Sequence, residues 1–198
     1  MVISLSGHML ELVNEYNFNI MKYSEELTKA MDFLAKDQRT IFLGQAVEYP
    51  GTAMTGTLKN VPKDKLYEIP VAEEMQLGIT NGLALNNFIP VSIFPRWNFL
   101  LLATNQLVNH LDKFEIMSQG QLKTKVIIRT SIGSQRPLHP QHQHVGDFSE
   151  AFKKALTTVE IITLKHGKDI LPSYEKALKR DDGKSTILVE YGDYYNEK

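Results

Sequence analysis

Short apolar runs alternate with amphipathic segments along most of the chain. Five of these runs are mostly apolar without strict alternation, which is typical of strands that are covered on both faces. They lie at residues 40–43, 90–94, 126–129, 160–164 and 186–190. Because helical segments separate the runs, the pattern predicts a three-layer α/β fold, a mostly parallel sheet with helices on both faces.

Helices are predicted where apolar residues recur at helical spacing. They cover residues 23–35, 75–85, 99–114, 149–156 and 170–179. Two stretches, 45–64 and 131–146, are rich in glycine, proline or polar residues and are predicted as loops. Ligands of open parallel sheets bind beyond the carboxyl ends of the strands. We therefore expect the segment at Glu73 and the loop 135–146 to border a binding site.

The composition is that of an ordinary globular domain. Of the 198 residues 42% are hydrophobic and the net charge is -1, so nothing in the charge favours nucleic acid or an anionic membrane. The chain has no cysteine, which excludes a disulfide framework and thiol catalysis and fits a cytoplasmic protein. We expect no signal peptide, and no apolar run is long enough to span a bilayer.

An acidic pair stands before an almost uncharged helical run. Glu73 and Glu74 precede residues 75–85. Carboxylates in the first turn of a helix are favoured by the helix dipole, and on pattern alone this structural interpretation is preferred. Gly78 and Gly82 in the same run are small enough for another helix to approach closely.

The order of short motifs around this pair resembles the pyrimidine-binding domain of thiamine diphosphate enzymes. The series consists of Pro-Val-Ala-Glu at 70–73, Gly-x-x-x-Gly-x-Ala at 78–84, Pro-Val at 90–91, Trp-Asn-Phe at 97–99 and Ala-x-x-Gln at 103–106. The greatest resemblance is to the beta subunit of the 2-oxo acid dehydrogenase decarboxylating component, of the pyruvate dehydrogenase type. Transketolase and deoxyxylulose phosphate synthase are less similar. The resemblance extends from about residue 23 to residue 190.

The resemblance implies thiamine diphosphate as the cofactor and gives Glu73 a catalytic role. In the family a buried carboxyl group bonds the aminopyrimidine ring nitrogen and favours the imino tautomer, which takes the proton of the thiazolium carbon. Glu73 matches this activating glutamate because it is the fourth residue of Pro-Val-Ala-Glu. Glu74 takes its place if the register shifts by one.

Three further positions are assigned to the cofactor pocket by the resemblance. Phe99 matches the aromatic residue that packs on the aminopyrimidine, and Trp97 and Asn98 are expected beside it. The alternative is that Trp97 and Phe99 are ordinary core residues of an apolar stretch.

A histidine of the second loop is the other candidate catalytic residue. His144, in Gln-His-Val-Gly-Asp-Phe, resembles the Gln-His-Ser-Gln-x-Phe segment of the beta subunits, whose histidine faces the substrate or the lipoyl arm. The two residues after it differ from that segment, so His142 is an alternative, and a solvated loop histidine is another. No carboxylate or cysteine lies at a suitable spacing from these histidines, so no metal site is predicted there.

Two other polar positions have open interpretations. Arg129, at the end of a predicted strand, either anchors an anionic substrate or hydrogen-bonds loop carbonyls. His110 and Asp112 belong either to a subunit interface or to simple capping.

The chain is expected to be a pyrimidine-binding domain standing alone. The family holds the diphosphate and its metal through Gly-Asp-Gly and a later asparagine, and here glycine follows neither Gly-Asp at 146–147 nor Gly-Asp at 192–193. We expect residues 1–22 to be an N-terminal extension and residues 23–198 to be the pyrimidine domain. A diphosphate-binding domain and a C-terminal transketolase domain are expected to be absent.

The resemblance therefore implies a separate diphosphate-binding subunit that holds Mg²⁺, in a heterotetramer or around a homodimer of this chain. Without that partner the enzyme is expected to be inactive. The implied reaction is cleavage or decarboxylation of a 2-oxo acid or ketose and transfer of the acyl or two-carbon unit, with a dehydrogenase-type oxidoreductase preferred. A transketolase-like or acyloin-forming transferase is the alternative, and a catalytically silent scaffold is another.

Overall fold

Residues 23–133 and 139–195 are described by a computed structural model, in which six parallel strands form one sheet. The strands are β1 (Thr40–Gly44), β2 (Leu66–Glu68), β3 (Ile89–Ile93), β4 (Ile127–Ile132), β5 (Glu160–Thr163) and β6 (Thr186–Tyr191). Their spatial order is β2-β1-β3-β4-β6-β5, and every neighbouring pair is parallel. The predicted α/β fold with a mostly parallel sheet is confirmed. The extension predicted for residues 1–22 lies outside the described residues.

Five of the strands correspond to the five apolar runs of the sequence, and β2 is the one that the pattern missed. It is three residues long, lies at one edge of the sheet and is only half-buried. Such a short edge strand needs no apolar run, because only one side of its backbone pairs and water covers part of its surface.

The helices agree with the pattern except in the middle of the chain. They are α1 (residues 23–35), α2 (Glu73–Leu85), α3 (Trp97–Leu100), α4 (Phe114–Met117), α5 (Ser149–Ala155) and α6 (Gly167–Lys179). The single helix predicted at 99–114 is wrong in detail. A 3-10 turn at Leu101–Ala103 and a π-type stretch at Gln106–Leu111 lie between α3 and α4. We call residues 97–117 the irregular helix.

The core has two parts, one on each face of the sheet. Ile127 of β4 and Leu188 of β6 pack with residues of α1 and α6. The next residues along the same strands, Ile128 and Val189, pack with α2, α5 and the irregular helix. Alternate strand residues thus enter opposite layers, which explains why the strands read as continuous apolar runs.

No helix in residues 23–133 and 139–195 has the length and the apolar character needed to cross a membrane.

Candidate functional site

The carboxyl ends of β1, β2 and β3 bring the segments of the candidate site to one edge of the sheet. Gly44 and Ile93, the last residues of β1 and β3, are paired in register. Ile69, directly after β2, donates its N–H to the carbonyl of Gly44 over 2.8 Å. A Cβ at Gly44 would lie 2.4 Å from the carbonyl oxygen of Ile93, so only glycine permits this close approach. The helices α2 and α3 begin just beyond this edge.

Glu73 lies buried at the start of α2. It is 6% exposed, and its Oε1 accepts a 3.2 Å hydrogen bond from Nε2 of Gln45, the residue that follows β1. Glu74 is exposed and accepts a 2.8 Å bond from Nδ2 of Asn105 on the irregular helix. Of the acidic pair, Glu73 is therefore the member inside the fold and Glu74 the member at its surface.

The turn that carries Gln45 is fixed by Glu68, the last residue of β2. Its carboxylate accepts the N–H groups of Ala46, Val47 and Glu48 at 2.6, 2.9 and 2.9 Å. Burial opposes ionisation of Glu68, but these N–H donors hold its pKa below the ordinary value. Ala46 has φ +53°, a left-handed conformation that the three bonds stabilise. The motif order of the sequence contains no signal for Gln45 or Glu68.

Phe99 and His144 are brought together although they are far apart in the sequence. Their ring centroids are 4.9 Å apart with an interplanar angle of 40°, and both residues are half-buried. Nδ1 of His144 is buried and has no hydrogen-bond partner within the described ranges. His142 is exposed. The structure therefore places His144, rather than His142, beside the predicted pocket residue.

Trp97, two residues before Phe99, is fully buried. Its Nε1 donates a 3.2 Å hydrogen bond to Oγ of Ser149, and its ring packs against Phe148 and Phe152 at centroid distances of 6.5 and 5.0 Å. With none of its surface exposed, the indole supports the irregular helix from within the core.

Asn98 is half-buried and contacts the loop that carries His144. Its Oδ1 accepts the N–H of Gly146 at 3.2 Å. A Cβ at Gly146 would lie 2.7 Å from the ring of Phe148 and 3.7 Å from this Oδ1. The glycine at this point of the loop thus allows the backbone to approach both side chains.

Both sequence interpretations of Arg129 are wrong. Its guanidinium is fully buried in an ion pair with Glu190, with N–O distances of 2.6 and 3.1 Å, and the hydroxyl of Tyr174 donates to the same carboxylate. Burial lowers the pKa of Arg129, but the Glu190 carboxylate raises it above the ordinary value. Within the described residues the guanidinium bonds no loop carbonyl, and its complete burial keeps it from a substrate, so Arg129 is a structural cation within the sheet.

The open question about Asp112 is answered in favour of capping. Its carboxylate is fully buried and accepts the N–H groups of Thr157, Thr158 and Val159, which precede β5. The residue therefore caps a different segment from the helix on which it lies.

The described part of the chain contains no cluster of three or more histidine, cysteine, aspartate or glutamate side chains placed to hold a metal ion.

Residues 20–196 match the family model of the transketolase pyrimidine-binding domain. The chain is 31% identical over 101 residues to the 3-methyl-2-oxobutanoate dehydrogenase subunit beta of Mycobacterium tuberculosis, an alignment that covers 50% of this chain and 29% of that protein. It is 28% identical over 174 residues to the mitochondrial pyruvate dehydrogenase E1 component subunit beta of Caenorhabditis elegans, covering 85% of this chain and 48% of the relative. The chain thus spans half or less of the length of these relatives.

Two solved structures share the fold at low sequence identity. A split gene transketolase, described as an inactive beta4 tetramer, has a TM-score of 0.63 at 13% identity. The superposition covers 85% of this chain and 50% of that chain. The benzoylformate decarboxylase of Polynucleobacter necessarius has a TM-score of 0.61 at 15% identity, and that superposition covers 89% of this chain and 31% of the decarboxylase chain.

Proposed function

The chain belongs to the transketolase pyrimidine-binding domain family, and from this premise we propose that it is the pyrimidine-domain subunit of a heteromeric thiamine diphosphate-dependent enzyme. The enzyme cleaves or decarboxylates a 2-oxo acid or ketose and transfers the resulting acyl or two-carbon unit. The beta subunits of 2-oxo acid dehydrogenases among its relatives support a dehydrogenase-type reaction over a transketolase-type one.

Buried Glu73 is the observation that carries the proposal. A carboxyl group is seldom placed inside a fold without a function or a charged partner, and within the described ranges its side chain makes one hydrogen bond, from the neutral amide of Gln45 through Oε1. The second oxygen, Oε2, is left to hold a proton against the ring nitrogen of an aminopyrimidine. When bound, thiamine diphosphate supplies a thiazolium carbon that becomes nucleophilic on losing its proton.

The other candidate residues fit the remaining parts of the aminopyrimidine pocket. Half-buried Phe99 provides a flat apolar surface for a flat heteroaromatic ring. His144, whose ring lies 4.9 Å from that of Phe99, is the residue that faces the substrate and exchanges a proton with it. Asn98 borders the pocket, and Trp97 contributes by holding α3 in place from the core.

We assign the diphosphate and Mg²⁺ to a separate diphosphate-binding subunit, and residues 23–198 to the pyrimidine domain. The beta-subunit relatives support a partner, and so does an apolar face on α2. Met75 and Ile79 are 46% and 40% exposed there, and a Cβ at Gly82 would meet nothing within 4 Å. Leu102, 62% exposed, extends this face onto the irregular helix. Uncovered apolar side chains on adjacent helices mark a protein interface, and we propose a heterotetramer built on a dimer of this chain.

Calorimetric titration with thiamine diphosphate and Mg²⁺ tests the proposal. The chain alone is expected to bind weakly or not at all, and the chain with its copurified partner is expected to bind and to turn over a 2-oxo acid. Glu73→Gln should abolish turnover while preserving folding and assembly. Glu74→Gln is the matched control, since this neighbouring acid is exposed, and it should retain turnover. No binding in either preparation would favour a catalytically silent scaffold.

A further inference from the structure

Arg96 joins two parts of the chain that meet beside the candidate site. It follows β3 and directly precedes α3, and its Nη1 donates hydrogen bonds of 2.9 Å to the carbonyl oxygens of both Gly133 and His144. Gly133 is the residue after β4, so a single guanidinium nitrogen connects the end of this strand to the loop that carries the candidate histidine. Charge-assisted bonds of this kind are stronger than bonds between neutral groups.

The backbone of His144 requires such support. Its φ of +60° lies in the left-handed region, which residues other than glycine seldom occupy. Arg96 holds the carbonyl of His144, and Asn98 accepts the N–H of Gly146 two residues later at 3.2 Å. The backbone is thus fixed on both sides of Val145 by residues of one short segment. The next residue of that segment, Phe99, receives the His144 ring.

Arg96 lies near an acidic side chain. Burial lowers the pKa of its guanidinium below the ordinary value, and the nearby Asp193 carboxylate offsets part of this effect. Asp193 lies beside Gly133, where an added Cβ would lie 2.7 Å from its Oδ2. The cation is therefore positioned between the end of β6, the end of β4 and the histidine loop.

We infer that Arg96 is a positioning residue, which holds the imidazole of His144 against Phe99 and so sets its direction into the pocket. The consequence for the reaction rests on the proposed function. The geometric part does not, because the contacts belong to this chain alone.

Nuclear magnetic resonance of the isolated chain tests the geometric part. The His144 imidazole signals are identified among the six histidines by their loss in His144→Gln. In the wild type they should carry the ring-current shift of Phe99, and both Arg96→Ala and Phe99→Leu should remove it. Arg96→Lys, which keeps the charge but not the guanidinium, should give an intermediate shift. Arg39→Ala is the matched control, because Arg39 pairs with Asp37 at the opposite end of β1 and should leave the signals in place.

His144 signals that stay in place in Arg96→Ala would overturn the inference, and if that variant does not fold, the same result in Arg96→Lys would do so. In the assembled enzyme Arg96→Ala should lower kcat/KM for the 2-oxo acid about 100-fold, since misplacing a reacting group by about 1 Å has an effect of this size. The Kd of thiamine diphosphate should change less than about threefold, since the bonds from Arg96 to Gly133 and His144 end on backbone carbonyls and not on the side chains proposed to contact the aminopyrimidine. An unchanged kcat/KM would remove the positioning role. Failure of the wild type to bind thiamine diphosphate would instead overturn the proposed function and leave the resonance result standing.

Discussion

Asp112→Asn is expected to destabilise the chain by about 2 to 4 kcal/mol at pH 7, because it removes a buried charge that several donors share. The carboxylate accepts N–H groups of Thr157 at 2.9 Å, Thr158 at 2.7 Å and Val159 at 3.1 Å, and Nζ of Lys113 lies 2.6 Å away. All three N–H groups reach Oδ1, an oxygen that an asparagine can keep in place. Its amide N–H₂ then replaces Oδ2, which binds Nζ of Lys113 and the Thr157 hydroxyl. The buried side of the Lys113 ammonium would lose its carboxylate partner and face an amide donor instead.

The charged part of this contribution can be calculated from the pKa of Asp112. Burial alone would raise the pKa, but the Lys113 ammonium and the N–H and hydroxyl groups of Thr157 and Thr158 lower it from 3.8 to about 2. A difference of this size corresponds to about 2.4 kcal/mol. Because the folded pKa is depressed, the stabilisation is complete above about pH 5 and is lost as the pH falls through 3.8 toward 2.

Urea unfolding followed by circular dichroism from pH 7 to pH 2 measures both effects. The difference in the free energy of unfolding between wild type and Asp112→Asn should be largest at pH 7. It should decrease by about 2 kcal/mol between pH 5 and pH 2. Other carboxylates, such as that of Asp37, titrate in both proteins and cancel in the difference. Glu150→Gln is the control, because Glu150 is an exposed partner of Lys153, and it should change the stability by less than about 0.5 kcal/mol. A difference in unfolding free energy that does not depend on pH would refute the reasoning.

Three further changes test other parts of the structure, each by urea unfolding. Gly44→Ala should destabilise by at least about 2 kcal/mol, since φ is +157° and the added Cβ meets the backbone carbonyl of Ile93 at 2.4 Å; a neutral result would contradict the close approach of β1 and β3. Gly82→Ala should stabilise the isolated chain by about 0.5 to 1 kcal/mol, because the site is helical and open, and size-exclusion chromatography should show weaker assembly with the partner if this face is the interface. Arg129→Met should lower the free energy of unfolding by about 3 to 5 kcal/mol, because it leaves Glu190 buried without a cation. Adding Glu190→Leu should recover at least half of this loss. Additive losses would contradict a coupled pair.

The fold could be predicted because its central strands are buried on both faces. β3 and β4 are buried at every position, and the apolar residues in each are enough to locate it, although the buried polar residues 129–131 hid the second half of β4. The edge strand β2 could not be found in this way. Its residues are partly exposed and pair with one neighbouring strand, and the carboxylate of Glu68 binds the turn after β1.

The irregular helix shows a second limit of pattern reading. Apolar residues at helical spacing predict a regular helix, but they do not determine which carbonyl each N–H group bonds. The hydroxyl of Thr104 donates to the carbonyl of Leu101 at 2.6 Å, and the N–H of Asp112 bonds that of Leu107, five residues back, at 3.0 Å. Bonds of both kinds change the local pitch without changing the apolar face.

The candidate site was found only in part from the sequence because its supports are non-local. Motif order singled out Glu73, yet only the fold shows that it is buried while its neighbour is exposed. Gln45 bonds Glu73 across 28 positions, and Arg96 bonds His144 across 48. Neither pair has a spacing that a local motif could record.

The two halves of the candidate site are positioned by different residues, which follow two neighbouring strands. Gln45, which positions Glu73, follows β1 directly, and Arg96, which positions His144, lies three residues beyond the end of β3. These strand ends are fixed to each other in register through Gly44. Replacing Gln45 or Arg96 should therefore displace only the candidate residue that it bonds. Separating the ends of β1 and β3 should displace both Glu73 and His144. Gly44→Ala is expected to shift the His144 resonances as Arg96→Ala does, although it lies on the Glu73 side of the site, and Gln45→Ala is expected to leave them unchanged.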